Sequence, residues 1–449
     1  MISIQNIAKT GLRRLMGPMR PMGLMGPMRP IGLMGLIGLM GLMGLMGCSS
    51  DDYEEAPVTE LGAPVTVNGY VAGYEEPGYR TNRAHGAYET YGTNGAYEAY
   101  EANGITRGWV PPTGFGFDAE LADKSISVFF TQTSGEPAGG FEEDFFFKSS
   151  DKWRVSKTDL KAENYYLYGY VPHEKYVEAK VEVLPHEDGE PAHTFTDGAV
   201  LTLDQLNAVT SADICVIVGA KNGYSNFDPS YDPNIDYTVT GLKMGDFTYA
   251  ARTTGESGTG GNYVYLLFDH IYAAMRFSIK VNGTYNALRT IKLKDLSLQA
   301  YTGDDGTTTT KKKMKATITL TKTTDGSSPI SRIVFEDVGT EEGKGSFFED
   351  AAGLELTTDY SDFIGHFMPK DVTKVELTST YDVYDKQGNL IRQNCTAMNT
   401  LDLKKLFFYD SEIKTARRGY RYTVKMTVNP TYLYVLSEPD LNNPTVEVE

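Results

Sequence analysis

From Trp109 to its C-terminus the chain is written in short runs with a side-chain period of two, broken by turn formers. That pattern constrains the fold more than any other feature. Ser125-Ile126-Ser127-Val128-Phe129-Phe130 alternates, and Tyr165-Tyr166-Leu167-Tyr168-Gly169-Tyr170-Val171 is an aromatic run ended by Pro172. Ile214-Cys215-Val216-Ile217-Val218 is continuously apolar, the signature of a strand buried on both faces. Further runs lie at residues 275–281, 291–298, 316–320, 375–383 and 422–428. Between them stand turn signals: Asn282-Gly283, Asp304-Asp305-Gly306, Asp325-Gly326 and Gln387-Gly388-Asn389. Many short β runs with Gly, Asn and Asp turns indicate a mainly β chain built of sandwiches. One short helix is expected over residues 203–208, with Thr202 as its N-cap. About 340 residues follow Trp109, roughly twice a usual sandwich, so two tandem domains are expected. The Gly/Ser/Thr-rich stretch Arg252-Thr253-Thr254-Gly255-Glu256-Ser257-Gly258 has linker composition, which places the domains at 108–255 and 256–449.

The other end of the chain reads as an export signal. Lys9, Arg13, Arg14, Arg20 and Arg29 give a basic start with no acid. Residues 31–47 are uncharged and repeat Gly-Leu-Met, too short and too Gly-rich for a comfortable span of about 20 apolar residues. Leu45-Met46-Gly47-Cys48 matches a lipobox. Gly47 is the small residue a signal peptidase needs, and the Cys48 thiol takes the diacylglyceryl group. Residues 1–47 are therefore expected to be a lipoprotein signal peptide, cut between Gly47 and Cys48. Several acyl chains on Cys48 would hold firmly, at about 0.8 kcal/mol per buried CH₂.

Charge excludes two partner classes. Removing the five basic residues before Cys48 leaves 37 basic against 59 acidic, a net of −22. Such a body is a poor ligand for nucleic acid and for anionic lipid head groups. Contact with the outer membrane is then expected through the lipid on Cys48. Beyond it only Cys215 and Cys395 remain, both in strand-like runs. A single distant pair is no disulfide framework, and two structural thiols are expected, with a bridge as the alternative.

Residues 48–107 are rich in Tyr, Gly and Glu and poor in Leu and Ile. They hold a repeat, Gly86-Ala87-Tyr88-Glu89-Thr90-Tyr91 and Gly95-Ala96-Tyr97-Glu98-Ala99-Tyr100. So little apolar surface does not offset chain entropy, so a mobile tether or propeptide is expected. Arg107 is the last basic residue before the strand pattern begins and is a candidate for cleavage by a trypsin-like protease, with Arg80 and Arg83 as competitors.

No residues suggest catalysis. His270 lies in an apolar strand without a Ser or Cys nucleophile motif, and reads as a hydrogen-bonded core residue. The acidic loop Asp228-Pro229-Ser230-Tyr231-Asp232-Pro233-Asn234-Ile235-Asp236 lacks EF-hand spacing. The cysteines lie in no CxxC pair. No metal and no cofactor is expected.

At the C-terminus, Tyr422, Val424, Met426 and Val428 fall on one face of a strand and Arg421, Thr423, Lys425 and Thr427 on the other. Pro430 breaks the ladder. A second apolar run follows, Tyr432-Leu433-Tyr434-Val435-Leu436, and then an alternating end at Val446-Glu447-Val448-Glu449. The 422–428 run reads as part of its own domain. Residues 432–449 read equally as an extension that pairs with an open sheet edge of another subunit.

Several of these stretches resemble the Bacteroidales fimbrillin family. The segment Phe268-Asp269-His270-Ile271-Tyr272-Ala273-Ala274 resembles a hydrophobic-x-His-x-x-Ala pattern that opens the second domain there. Residues 165–172, Phe367-Met368-Pro369, Gly419-Tyr420-Arg421-Tyr422 and Thr431-Tyr432-Leu433-Tyr434-Val435-Leu436-Ser437-Glu438-Pro439-Asp440 resemble further family segments, in the family's order. Ser49-Ser50-Asp51-Asp52 resembles a surface-export signal. The resemblance implies transthyretin-like, Greek-key sandwiches and a lipid-anchored subunit of a surface fimbria that binds other fimbrial subunits, supports adhesion and catalyses nothing. It implies that proteolysis removes an N-terminal strand and that a neighbour's tail, here Tyr432, Leu433, Tyr434, Val435 and Leu436, fills the groove. The Tyr content and the stalk leave a glycan-binding lipoprotein as the alternative, and an anchor or tip subunit as another. The receptor is not indicated.

Overall fold

The computed structural model describes residues 63–75, 124–133, 140–149, 152–186, 188–222, 243–251, 262–303, 306–406, 415–430 and 439–448. The strands are β1 (Ala63–Val71), β2 (Ile126–Thr131), β3 (Asp144–Ser149), β4 (Lys152–Val155), β5 (Asn164–Val171) and β6 (Glu178–Val183). Next come β7 (Gly198–Asn207), β8 (Val209–Thr210), β9 (Cys215–Asn222), β10 (Thr248–Ala250), β11 (Asn262–His270) and β12 (Ala273–Val281). A single helical turn, α1 (Gly283–Asn286), leads to β13 (Arg289–Thr302), β14 (Thr308–Thr309), β15 (Lys311–Thr321), β16 (Ile330–Glu342) and β17 (Lys344–Leu356). The chain ends with β18 (Ser361–Phe367), β19 (Val372–Asp385), β20 (Leu390–Asp402), the turn α2 (Leu403–Leu406), β21 (Arg421–Pro430) and β22 (Pro439–Val448). The protein is mainly β, as its alternation predicts.

Two hydrophobic cores organise these strands. The first lies inside an eight-stranded sheet of order β10-β5-β2-β3-β4-β1-β11-β9. This sheet curls until β5 meets β9 again, at Tyr170↔Val216 and Val171↔Cys215, so seven of its strands form a closed ring. The sheet β16-β15-β7-β6 packs on it through Val181, Leu201, Leu203, Ala316 and Ile318. Gly169 is required where β5 crosses β2, because a Cβ there would meet the Ser127 carbonyl oxygen at 2.0 Å. The second core is a sandwich. One sheet has the order β22-β21-β12-β18-β8, and the other β14-β13-β19-β20 with β17 also on β13. Met275, Phe277, Leu296, Leu377, Tyr422 and Val424 meet between them. Each fully buried side chain of this size contributes about 1.5–3 kcal/mol relative to exposure. In β21 the alternation is realised: Tyr422, Val424, Met426 and Val428 are buried.

Three expectations change. First, the tether expected over 48–107 contains β1, which runs parallel to β11 through seven residue pairs from Val65↔Asn262 to Val71↔Phe268. Val65, Val67 and Tyr70 are core residues, the two valines in phase on one face, and this apolar surface overrides the poor aliphatic content around them. Second, the boundary between 255 and 256 does not separate the cores. β11, β15 and β16 lie beyond it yet join the first core's sheets, and the second core begins at β12 apart from Val209. The Gly/Ser/Thr composition there marks a loop between β10 and β11, both in the same sheet. Third, the helix expected over 203–208 is strand. Leu203 and Leu206 are three apart and both buried because a bulge lies between them, Asp204 and Gln205 facing the single residue Lys315. A bulge turns a spacing of two into three, which imitates a helix.

No disulfide joins Cys215, buried in the first core, to Cys395, half-buried beside the second. Among the described residues no helix is long and apolar enough to cross a membrane.

Candidate functional site

The feature that sets this chain apart from a plain pair of β domains is the insertion of its N-terminal strand. β1 lies between β4 and β11. With β4 it shares only the antiparallel pairs Ala63↔Val155 and Pro64↔Arg154. With β11 it is paired over its full apolar length. The next residues are tied down as well. Ala72 N–H donates to the Phe268 carbonyl at 2.9 Å, and Glu75 N–H donates to the Gly419 carbonyl at 2.8 Å. Arg421 N–H in turn donates to the Glu75 carbonyl at 2.8 Å. Gly419 holds a φ of 67°, a left-handed conformation that glycine adopts at no steric cost, and its N–H donates to the Tyr272 carbonyl at 2.8 Å. The exit of β1 thus pairs with the entry to β21 on the edge away from β12, the edge that carries β22 further along.

Under this exit segment lies a buried polar cluster. His270 ends β11 and faces Cys215 directly across the ladder, and Asp213 sits two residues before Cys215. His270 Nδ1 is 2.8 Å from Asp213 Oδ2 and 3.4 Å from Cys215 Sγ. His270 Nε2 donates to the Ala72 carbonyl at 2.5 Å, because a carbonyl can only accept. His366, from β18, approaches from the other side, its Nε2 3.9 Å from Asp213 Oδ2 and its Nδ1 donating to the Ser211 carbonyl at 3.0 Å. Tyr74 stacks on the His270 ring with centroids 3.8 Å apart. Asp213 Oδ1 is buried without a hydrogen-bond partner.

The electrostatics follow from this packing. Burial works against the Asp213 carboxylate, yet the two imidazoles beside it overcome that penalty and hold its carboxyl far below the usual range. Burial likewise works against a charged His270, and the Asp213 carboxylate with its hydrogen bond reverses the direction, so the imidazole's pKa is raised. The neighbouring Asp269 points the other way and is fully buried. Its Oδ2 accepts from Arg418 Nη1 at 2.9 Å, and the same nitrogen donates to the His270 carbonyl at 3.3 Å.

No protein-family model and no curated protein matches the chain. Solved structures of cell adhesion and fimbrial proteins from Bacteroides are similar to it. A candidate cell adhesion protein from Bacteroides uniformis aligns over 74% of this chain and 93% of its own, at 11% identity and a TM-score of 0.33. A fimbrial protein from Bacteroides vulgatus aligns over 72% and 91%, at 14% identity and a TM-score of 0.30. A candidate cell adhesion protein from Bacteroides ovatus aligns over 87% and 97%, at 11% identity and a TM-score of 0.30.

The residues singled out in the sequence fall unevenly on this architecture. Gly47, Cys48, Arg107, Tyr432, Leu433, Tyr434, Val435, Leu436 and the acidic loop 228–236 lie outside the described residues. His270 is a buried, hydrogen-bonded core residue, as its apolar context predicts. The sequence did not reveal the meeting of Asp213, Cys215, His270 and His366, which comes from three separate strand neighbourhoods. The available signal was narrow: two donors at i and i+2 in one apolar run, on one face of a strand. Of the C-terminal extension, β22 pairs at home with β21 through Val424↔Val448, Lys425↔Glu447 and Met426↔Val446.

Proposed function

We propose that the protein is a structural subunit of a cell-surface fimbria, exported as a lipoprotein through Cys48 and assembled by strand exchange between copies or related subunits, in support of adhesion. The observation that carries this reading is β1. It contributes Val65, Val67 and Tyr70 to a core, it is paired on both sides, and it precedes Arg80, Arg83 and Arg107 in the chain. A cut after any of these arginines separates β1 covalently from the body while its non-covalent pairing remains. Loss of β1 then uncovers the edge of β11 and the pockets of its core side chains, a template for a strand of another subunit. The tail beyond Pro430 carries the continuous apolar run Tyr432, Leu433, Tyr434, Val435 and Leu436, whose alternate side chains fill such a groove. In this reading Cys48 carries the subunit to the surface and the cut releases it for assembly.

The test uses the full chain treated with trypsin. N-terminal sequencing is expected to find a new start after Arg80, Arg83 or Arg107, and unboiled gels are expected to show a ladder of oligomers. Removal of residues 432–449 is expected to abolish the ladder and leave the monomer folded. A monomer that persists after the cut, with β1 still bound, overturns the exchange mechanism. A mature start that remains at Cys48 on surface material makes the protein an anchor. Retention of sugar by that monomer in a glycan pull-down shifts the reading to a glycan-binding lipoprotein.

A further inference from the structure

The cluster beneath the β1 exit has a property that a structural ion pair does not need. Each of its two imidazoles spends its outer nitrogen on a backbone carbonyl, His270 Nε2 on Ala72 and His366 Nδ1 on Ser211. Both inner nitrogens therefore turn toward one carboxylate. Cys215 Sγ joins them at 3.4 Å from His270 Nδ1. Asp213, Cys215 and His270 are all buried, with their donor atoms mutually within 4.8 Å. Asp213 also keeps an oxygen buried with no hydrogen-bond partner. Donor atoms that converge while their far sides are held by carbonyls are the arrangement that orients metal-ligating histidines.

We propose that Asp213, Cys215 and His270 form a buried site for a divalent transition-metal ion of the zinc type, with His366 beside the Asp213 carboxylate. The donor set is one nitrogen, one sulfur and one oxygen, which suits zinc with a water as its fourth ligand. With metal–ligand bonds of about 2.0–2.3 Å, tetrahedral ligand atoms stand roughly 3.3–3.7 Å apart. The Cys215–His270 distance of 3.4 Å already fits. The Asp213–His270 contact of 2.8 Å opens by about half an ångström. The ion replaces the proton on His270 Nδ1 and the proton on the Cys215 thiol, which leave to solvent as it binds. The site is coupled to β1, since departure of that strand takes away the Ala72 carbonyl that holds His270 Nε2 and the Tyr74 ring stacked on it.

The experiment is to refold the full chain with Co(II), which reports sulfur ligation through a near-ultraviolet thiolate-to-cobalt band and tetrahedral geometry through strong visible bands. One equivalent bound per chain with both signals is expected. Cys215→Ala is expected to lose the near-ultraviolet band, and Cys395→Ala to keep it. His270→Gln is expected to weaken binding at least tenfold in competition with a chromophoric chelator. Because the His270 variant can fail to fold, circular dichroism is recorded beside each titration and the Cys215→Ala and Cys395→Ala pair decides. Absence of stoichiometric binding by the folded wild-type chain overturns the proposal. So does a thiolate band that survives Cys215→Ala, since the ion then sits elsewhere. None of these readouts depends on polymer formation.

Discussion

Gln205 holds a φ of 65°, a conformation that costs a non-glycine residue roughly 1 kcal/mol or more. It does so because the bulge in β7 puts Asp204 and Gln205 opposite Lys315, with the Asp204 carboxylate accepting from the Gln205 N–H at 2.7 Å. Gln205→Gly is expected to raise the urea midpoint by the equivalent of up to about 1 kcal/mol, and Gln205→Val to lower it. Equal effects from both variants would mean the bulge relaxes. Arg418 presents the opposite case. Its guanidinium faces Asp269, which has no exposed surface. Arg418→Ala is expected to cost about 3–5 kcal/mol in chemical denaturation, because a buried carboxylate is left without its cation. Changing Asp269 to Asn in the same chain is expected to recover part of that loss. Of these residues, His270 was legible as a core histidine from its apolar neighbours. Its partners were not, because Asp213 and His366 are brought to it by ladders formed far along the chain.

Among the elements, β2, β5, β9, β12, β13, β15, β19 and β21 were legible because their side-chain period or continuous apolar run states how they are buried. β1 was not, since a stretch of Gly-, Glu- and Tyr-rich sequence surrounds its two in-phase valines. The bulge in β7 gives Leu203 and Leu206 the spacing of a helix, which hides the strand in the sequence. β15 and β16 show why domain limits are harder than strands. Their alternation shows that one face is covered, and nothing in it says which of two cores does the covering. β1 also makes a prediction of its own. If it opens as a unit, hydrogen exchange of residues 65–71 and 262–268 should rise together in a Val67→Asp variant. Peptides from β13 and β21, which belong to the second core, should keep their protection. Loss of protection throughout the chain would show that β1 cannot leave without global unfolding.

At the scale of the whole molecule, charge and topology act on association in different ways. A body with a formal charge near −22 after Cys48 repels its own copies. Salt screens that repulsion over about 10 Å at 0.1 M. Trypsin-treated protein is therefore expected to associate faster as ionic strength rises, followed by light scattering. A rate that falls with salt would show that opposite-charge patches steer the contact instead. The closed ring bears on kinetics rather than energy. While β1 completes the circuit from β5 round to β9, those seven strands offer a neighbour no long unpaired edge. In the proposed exchange, reactive edges arise one molecule at a time, by departure of a strand, and not by collision. If that departure is the slow event, growth of a polymer is first order in intact subunits and indifferent to how densely they are crowded, so export at high concentration would not by itself start assembly.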